Sequence, residues 1–223
     1  YQLMGGAVVS GSFQGFEQNH LKYVLQQLGP GFVGVTQLPV TVSDEQLIEL
    51  DRAGIRGLRF NLMRGGMGQA RTLSRMAQRV FDLVGWHCEL YVDGRYLEQL
   101  YKQLVLLPRL CIDHIGLSKA GQPTLLKLVE RGVFVKATGF GRLDFRAGQA
   151  LKDISAANPQ ALMFGTDLPS TRALRPYSDQ DFMLVLESLE PHSAQRVLSL
   201  NALEFYRLEE SPPPNESSDL YMS

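Results

Sequence analysis

The sequence predicts an α/β fold built on a sheet of parallel strands. Three observations carry that expectation. Strand-like and helix-like segments alternate along the whole chain, and no two strands follow one another as a hairpin. The strands are also short and apolar along their length, as expected when both faces are buried.

The elements can be justified in order. Ala7 to Phe13 reads as a strand, and Glu17 to Leu28 carries Leu21, Val24, Leu25 and Leu28 at helical spacing. Phe32 to Leu38 is strand-like. Ser43 then opens a helix, with Gln46 three residues on as a capping box. Ile55 to Met63 is the next strand, followed by a helical face of Leu73, Met76, Ala77, Val80, Phe81 and Val84. Four further strands are expected at His87 to Asp93, Arg109 to Gly116, Val133 to Thr138 and Ala161 to Thr166. Helical patterns lie between them at Tyr96 to Leu106, Pro123 to Arg131 and Ala147 to Ala157. Asp179 to Leu189 and Ser193 to Leu208 close the chain as helices.

This makes seven βα units. Doubly wound sheets and closed barrels share the alternation, but a barrel takes eight units and about 250 residues. The chain has 223 residues and starts almost inside a strand. The expectation is therefore a (β/α)8 TIM barrel that lacks its first βα unit in this chain. Such a gap leaves two unpaired sheet edges, which favour association into a homo-oligomer. Residues 1–208 form one expected domain. Residues 209–223, polar and proline-rich, are expected to be a disordered tail.

Composition narrows the function. The chain is 44% hydrophobic, with 22 basic and 23 acidic residues and a net charge of -1. No cationic excess points to nucleic acid or an anionic membrane. No apolar run approaches the roughly 18 residues that span a bilayer, and the apolar N-terminal residues lack a cationic leader. Cys88 and Cys111 sit singly in apolar runs and read as buried free thiols, which suits a cytoplasmic location.

In a parallel sheet the C-terminal strand ends share one face, where active sites form. Those ends carry Ser10, Ser12, Gln37, Arg59, Asn61, Tyr91, Asp93, Asp113, His114, Thr138 and Asp167. The stretch Ala161 to Ser170 is the most telling, because a short apolar strand delivers Asp167 at its end and Pro169 stops it. A carboxylate so placed can take a proton from water; it could also cap a helix or pair with a cation. His114 is the second candidate for proton chemistry. Alternation along its strand puts the neighbouring Asp113 on the opposite face, so at most one of the two is expected to face the site. His87 is expected to be structural, and His20 and His192 solvated.

Arg59, Arg64 and Arg142 are candidates for an anionic substrate. A guanidinium inside a buried strand must meet a carboxylate, of a ligand or of a residue such as Asp93 or Asp167. The chain has no Cys-x-x-Cys, His-x-His or His-Glu-x-x-His, no phosphate loop and no Gly-x-Ser-x-Gly. His114 and Asp167 could be two ligands of a metal, but two ligands do not hold a zinc.

Five segments in order at strand ends then resemble the amidohydrolase-related family of TIM-barrel hydrolases, and most closely its lactonase branch. They are Gly-Leu-Arg-Phe-Asn (57–61), Trp-His-Cys-Glu-Leu-Tyr (86–91), Ile-Asp-His-Ile-Gly (112–116), Val-Lys-Ala-Thr-Gly-Phe-Gly-Arg-Leu (135–143) and Phe-Gly-Thr-Asp-Leu-Pro (164–169). Leu-Ser-Leu-Asn-Ala-Leu-Glu-Phe-Tyr (198–206) looks like the family's closing helix. The resemblance implies a distorted barrel that hydrolyses a small carboxylated lactone. It implies Asp167 as general base or metal ligand and His114 as the histidine of the sixth strand. It implies Arg59, Arg64, Arg142 and Tyr91 around the substrate carboxylates and carbonyl. Two departures accompany it. The family's first-strand His-x-His is absent, and Tyr91 stands where metal-dependent relatives carry a histidine, as in the branch that works without metal. The expected cofactor is none or one divalent metal, zinc or manganese. Leu117 stands where the lactonases have a further arginine. The alternatives on the same barrel are a metal-dependent decarboxylase or amidohydrolase, or an inactive truncated barrel.

Overall fold

The computed structural model describes residue 3 and residues 5–208. The tail expected at 209–223 lies outside the described residues. Seven strands form one sheet in the order β1 to β7, all parallel: β1 Gly6–Val9, β2 Phe32–Thr36, β3 Ile55–Asn61, β4 His87–Tyr91, β5 Leu110–Ile112, β6 Phe134–Ala137 and β7 Leu162–Phe164. The sheet curls into an incomplete barrel. Among the described residues β1 pairs with β2 alone and β7 with β6 alone.

The connecting helices are α1 Asn19–Leu28, α2 Asp44–Arg52, α3 Leu62–Gly65, α4 Ala70–Val84, α5 Leu97–Leu104, α6 Gln122–Glu130, α7 Ala147–Ala157, α8 Asp179–Ser188, α9 Pro191–Gln195 and α10 Asn201–Tyr206. Right-handed crossovers between neighbouring parallel strands put successive helices on one face of a sheet. The main core forms there, where Leu58, Leu90, Ile112 and Val135 meet Leu73, Val80, Leu97 and Leu125. Burial of each such side chain contributes about 1.5–3 kcal/mol. The capping box of α2 forms as the sequence predicts. Gln46 N–H donates to Ser43 Oγ at 3.2 Å, and Ser43 N–H donates to Gln46 Oε1 at 3.0 Å.

A second cluster fills the concave face. Val33, Val35, Cys111 and Met163 pack there against Phe205 and Tyr206 of α10. Phe205 lies 4.4 Å from the ring of His87 and 4.5 Å from that of Phe134, at the first residues of β4 and β6. The closing helix therefore stoppers the barrel at the N-terminal ends of the strands and leaves the C-terminal ends for chemistry.

Three elements differ in kind from the sequence expectation. The expected strand Ala7 to Phe13 is a strand only to Val9, with a 3-10 turn at Ser12–Gln14. The expected strand Arg109 to Gly116 stops at Ile112, because the backbone turns left-handed at His114 (φ 51) and Ile115 (φ 49). The single helix expected over Ser193 to Leu208 is α9, a π turn at Arg196–Leu200 and α10. No helix among the described residues is long and apolar enough to cross a membrane.

Candidate active site

The site assembles where β3 to β7 end. Asp167 follows β7 in a left-handed conformation (φ 56), a region in which Asp and Asn are enriched among non-glycine residues. Its Oδ2 accepts from Arg142 Nε at 2.7 Å, and its Oδ1 faces His114 Nε2 at 3.9 Å. That second distance exceeds a hydrogen bond and is within reach of one shared water. Arg142 is anchored in turn, donating through Nη2 to Thr171 O at 3.1 Å.

His114 is held from three sides. Its Nδ1 is 2.8 Å from Thr138 Oγ1, at the end of β6. The Tyr91 ring meets it edge-on, with centroids 5.2 Å apart. Gly139 (φ 60) flanks it so closely that a Cβ there would lie 2.7 Å from Nδ1, and only glycine leaves the ring its place. Burial lowers the His114 pKa, and the neighbouring charges of Asp113 and Asp167 offset this only in part. The imidazole is accordingly neutral at neutral pH.

Arg59 sits beneath Tyr91, its guanidinium carbon 4.9 Å from the ring centroid. Its carboxylate partner is Asp113, at 2.8 Å, and neither Asp93 nor Asp167. Asp113 and His114 both turn toward the concave side, contrary to the alternation expected of a strand, because the left-handed turn begins between them. Arg64 lies on the same rim but on the β1 side, exposed, and donates to Ser12 Oγ at 2.7 Å. The structure thus gathers Asp167, His114, Arg142, Tyr91 and Arg59, and sets Arg64 apart from them.

A layer of buried charge lies below. Glu89 in β4 accepts from Lys136 in β6 and from Tyr206 Oη at 3.0 Å, and it meets His87 Nε2 at 3.1 Å. Lys136 Nζ also lies 3.4 Å from Asp113 Oδ1. Burial would raise both carboxyl pKa values. Arg59 and Lys136 outweigh it at Asp113, and Lys136 and His87 at Glu89, so both are held below the usual carboxylate range. Burial would lower Lys136, but Glu89, Tyr206 and Asp113 together outweigh it and the ammonium's pKa is raised. Sequence reasoning passed over Glu89 and Lys136. The signal was present, since residues 87, 89 and 91 share one strand face, as do 134, 136 and 138.

A resident zinc takes at least three protein ligands. Among the described residues no group of three or more His, Cys, Asp or Glu side chains converges. His114 and Asp167 supply two donors, and Arg142 already holds one Asp167 oxygen. The described donor set does not fit a zinc or manganese ion.

The amidohydrolase family model matches residues 1–208. The 2-pyrone-4,6-dicarboxylate hydrolase of Comamonas testosteroni is 25% identical over 240 residues, covering 91% of this chain and 76% of that protein. A solved structure from Pseudomonas putida, described as a candidate 2-pyrone-4,6-dicarboxylic acid hydrolase, is 26% identical with a TM-score of 0.77, covering 93% of this chain and 84% of that one. An apo structure from Agrobacterium tumefaciens shares the fold at a TM-score of 0.79 and 17% identity, covering 94% of this chain and 82% of that one.

Proposed function

Since this chain belongs to the amidohydrolase family, and is a hydrolase, we propose that it opens a small carboxylated lactone with Asp167 as general base. The observation that carries this reading is the facing pair, Asp167 Oδ1 and a neutral His114 Nε2, 3.9 Å apart at the C-terminal strand ends.

In this reading the Thr138 hydroxyl donates to His114 Nδ1, so that Nε2 carries the hydrogen and points it at the lactone carbonyl. Asp167 Oδ1 takes a proton from water as the water oxygen bonds to the carbonyl carbon. The carbonyl electrons move onto oxygen, where Nε2–H and the Tyr91 hydroxyl meet the growing charge. Collapse breaks the ring C–O bond, and Asp167 returns the proton to the leaving oxygen. The product is the ring-opened acid. A positioned base contributes about 10²–10⁴-fold and an oxyanion donor about 10²–10³-fold.

The arginines divide the remaining work. Arg142 orients the base. Arg59, whose Nε alone is taken by Asp113, offers its terminal nitrogens to one substrate carboxylate, and Arg64, farther along the rim beside Ser12, meets a second, for which the planar guanidinium fork is suited. The Comamonas testosteroni relative is a hydrolase of a pyrone dicarboxylate, and the same substrate class suits this rim.

The test is turnover of 2-pyrone-4,6-dicarboxylate against an uncharged pyrone. Ring opening of the dicarboxylate, at least about 100-fold faster than of the uncharged pyrone, is expected. Folded protein that opens no carboxylated lactone would overturn the reading.

A further inference from the structure

The buried charges beneath the site do more than neutralise one another. We propose that Lys136 is a positioning residue, which clamps Asp113 and through it holds Arg59, Tyr91 and the His114 turn in register. The proposal rests on the reading of His114 and Asp167 as the reacting pair.

Asp113 is gripped at both oxygens, Oδ2 by Arg59 Nε at 2.8 Å and Oδ1 by Lys136 Nζ at 3.4 Å. A carboxylate held by two cations from two strands cannot rotate. Arg59 then has one place to lie, under the Tyr91 ring at 4.9 Å, and Tyr91 in turn braces His114 at 5.2 Å. The backbone gives the clamp a second task. His114 and Ile115 are consecutive left-handed residues, a conformation that is strained for an L-residue. Such a turn persists only where its surroundings over-determine it, and the fixed Asp113 side chain anchors the residue that enters it.

Glu89 completes the arrangement. It holds Lys136 from the far side and is itself fixed by His87 and by Tyr206 of the closing helix. Glu89, Asp113, Lys136 and Arg59 form two opposite pairs, so a purely stabilising role needs only charge balance. A positioning role needs the Lys136 ammonium itself.

That difference supplies the experiment. Glu89→Gln with Lys136→Met removes one charge of each sign and keeps the balance. Two readouts are taken on the full chain: hydrolysis of 2-pyrone-4,6-dicarboxylate, and the His114 ring resonances by NMR, identified among the four histidines by loss in His114→Gln. Folded double variant with displaced His114 resonances and kcat lowered about 10–100-fold, while KM stays within threefold, is the expected result. Unmoved resonances and kcat within threefold of the parent would overturn the proposal. If the Met pair does not fold, Glu89→Gln with Lys136→Gln, whose amides can bond each other, carries the same readouts and outcomes. Should the parent chain not hydrolyse the dicarboxylate, the functional reading fails, and the His114 resonances alone decide the positioning role.

Discussion

Asp167→Asn separates chemistry from structure. The substitution keeps the shape of the side chain and removes its basicity. Asn tolerates the left-handed backbone at this position (φ 56) as well as Asp does, whereas alanine would add strain. The amide oxygen can still accept from Arg142 Nε, so the 2.7 Å contact changes from an ion pair to a hydrogen bond with one charged partner. A bond with one charged partner still contributes about 1.5–3 kcal/mol, so what is lost is the attraction between the two charges, up to about 1 kcal/mol for a pair still open to solvent. For a chain of this size that shifts Tm by about 2–4 °C. The loss of a positioned base costs about 10²–10⁴ in rate, or about 2.7–5.5 kcal/mol of barrier. The assay is kcat/KM for 2-pyrone-4,6-dicarboxylate beside a thermal melt of the same preparation. Hydrolysis undiminished within threefold, with a normal melt, would refute the general-base role. A collapse in Tm would refute the argument that Asn fits this turn.

Other expectations follow from the same geometry. Thr138→Val removes the partner of His114 Nδ1, and should lower kcat about 10-fold and stability by about 1–3 kcal/mol; unchanged kinetics would show that Thr138 does not set the ring. Burial lowers the pKa of both His87 and His114, so the unfolded chain binds more protons at mildly acid pH. Their contribution is complete above the unfolded value of about 6.5 and is lost as pH falls through the lower folded values, at up to about 2.7 kcal/mol per pH unit for the two together. Urea midpoints that rise or stay level from about pH 7 to pH 5.5 would contradict this. A second loss is expected to begin below about pH 4, where the unfolded chain binds protons that folded Asp113 and Glu89, held low by their cations, take up only at lower pH. Cys88 and Cys111 are buried with raised thiol pKa values and should resist a thiol reagent until urea unfolds the chain; rapid labelling of native protein would show that the core opens.

The seven βα units are legible in the sequence because local chemistry sets them. Apolar runs, helical spacing and the Ser43–Gln46 box act over a few residues, and α7 begins and ends where its pattern does. The C-terminal strand ends are legible for the same reason, and so are Asp167 and His114 as the groups to watch. Other features come from contacts between residues far apart in the chain. The alternation rule fails at Asp113 and His114, because a strained turn held by tertiary contacts replaces the end of the strand. Nothing local chooses Asp113 for Arg59 across 54 residues, or seats Lys136 on Glu89 and α10 beneath them both. A buried charge must find its opposite wherever the fold brings one. Sequence alone therefore determines which residues reach the mouth of this barrel, and only the tertiary structure decides which of them hold one another and which are left facing the cleft.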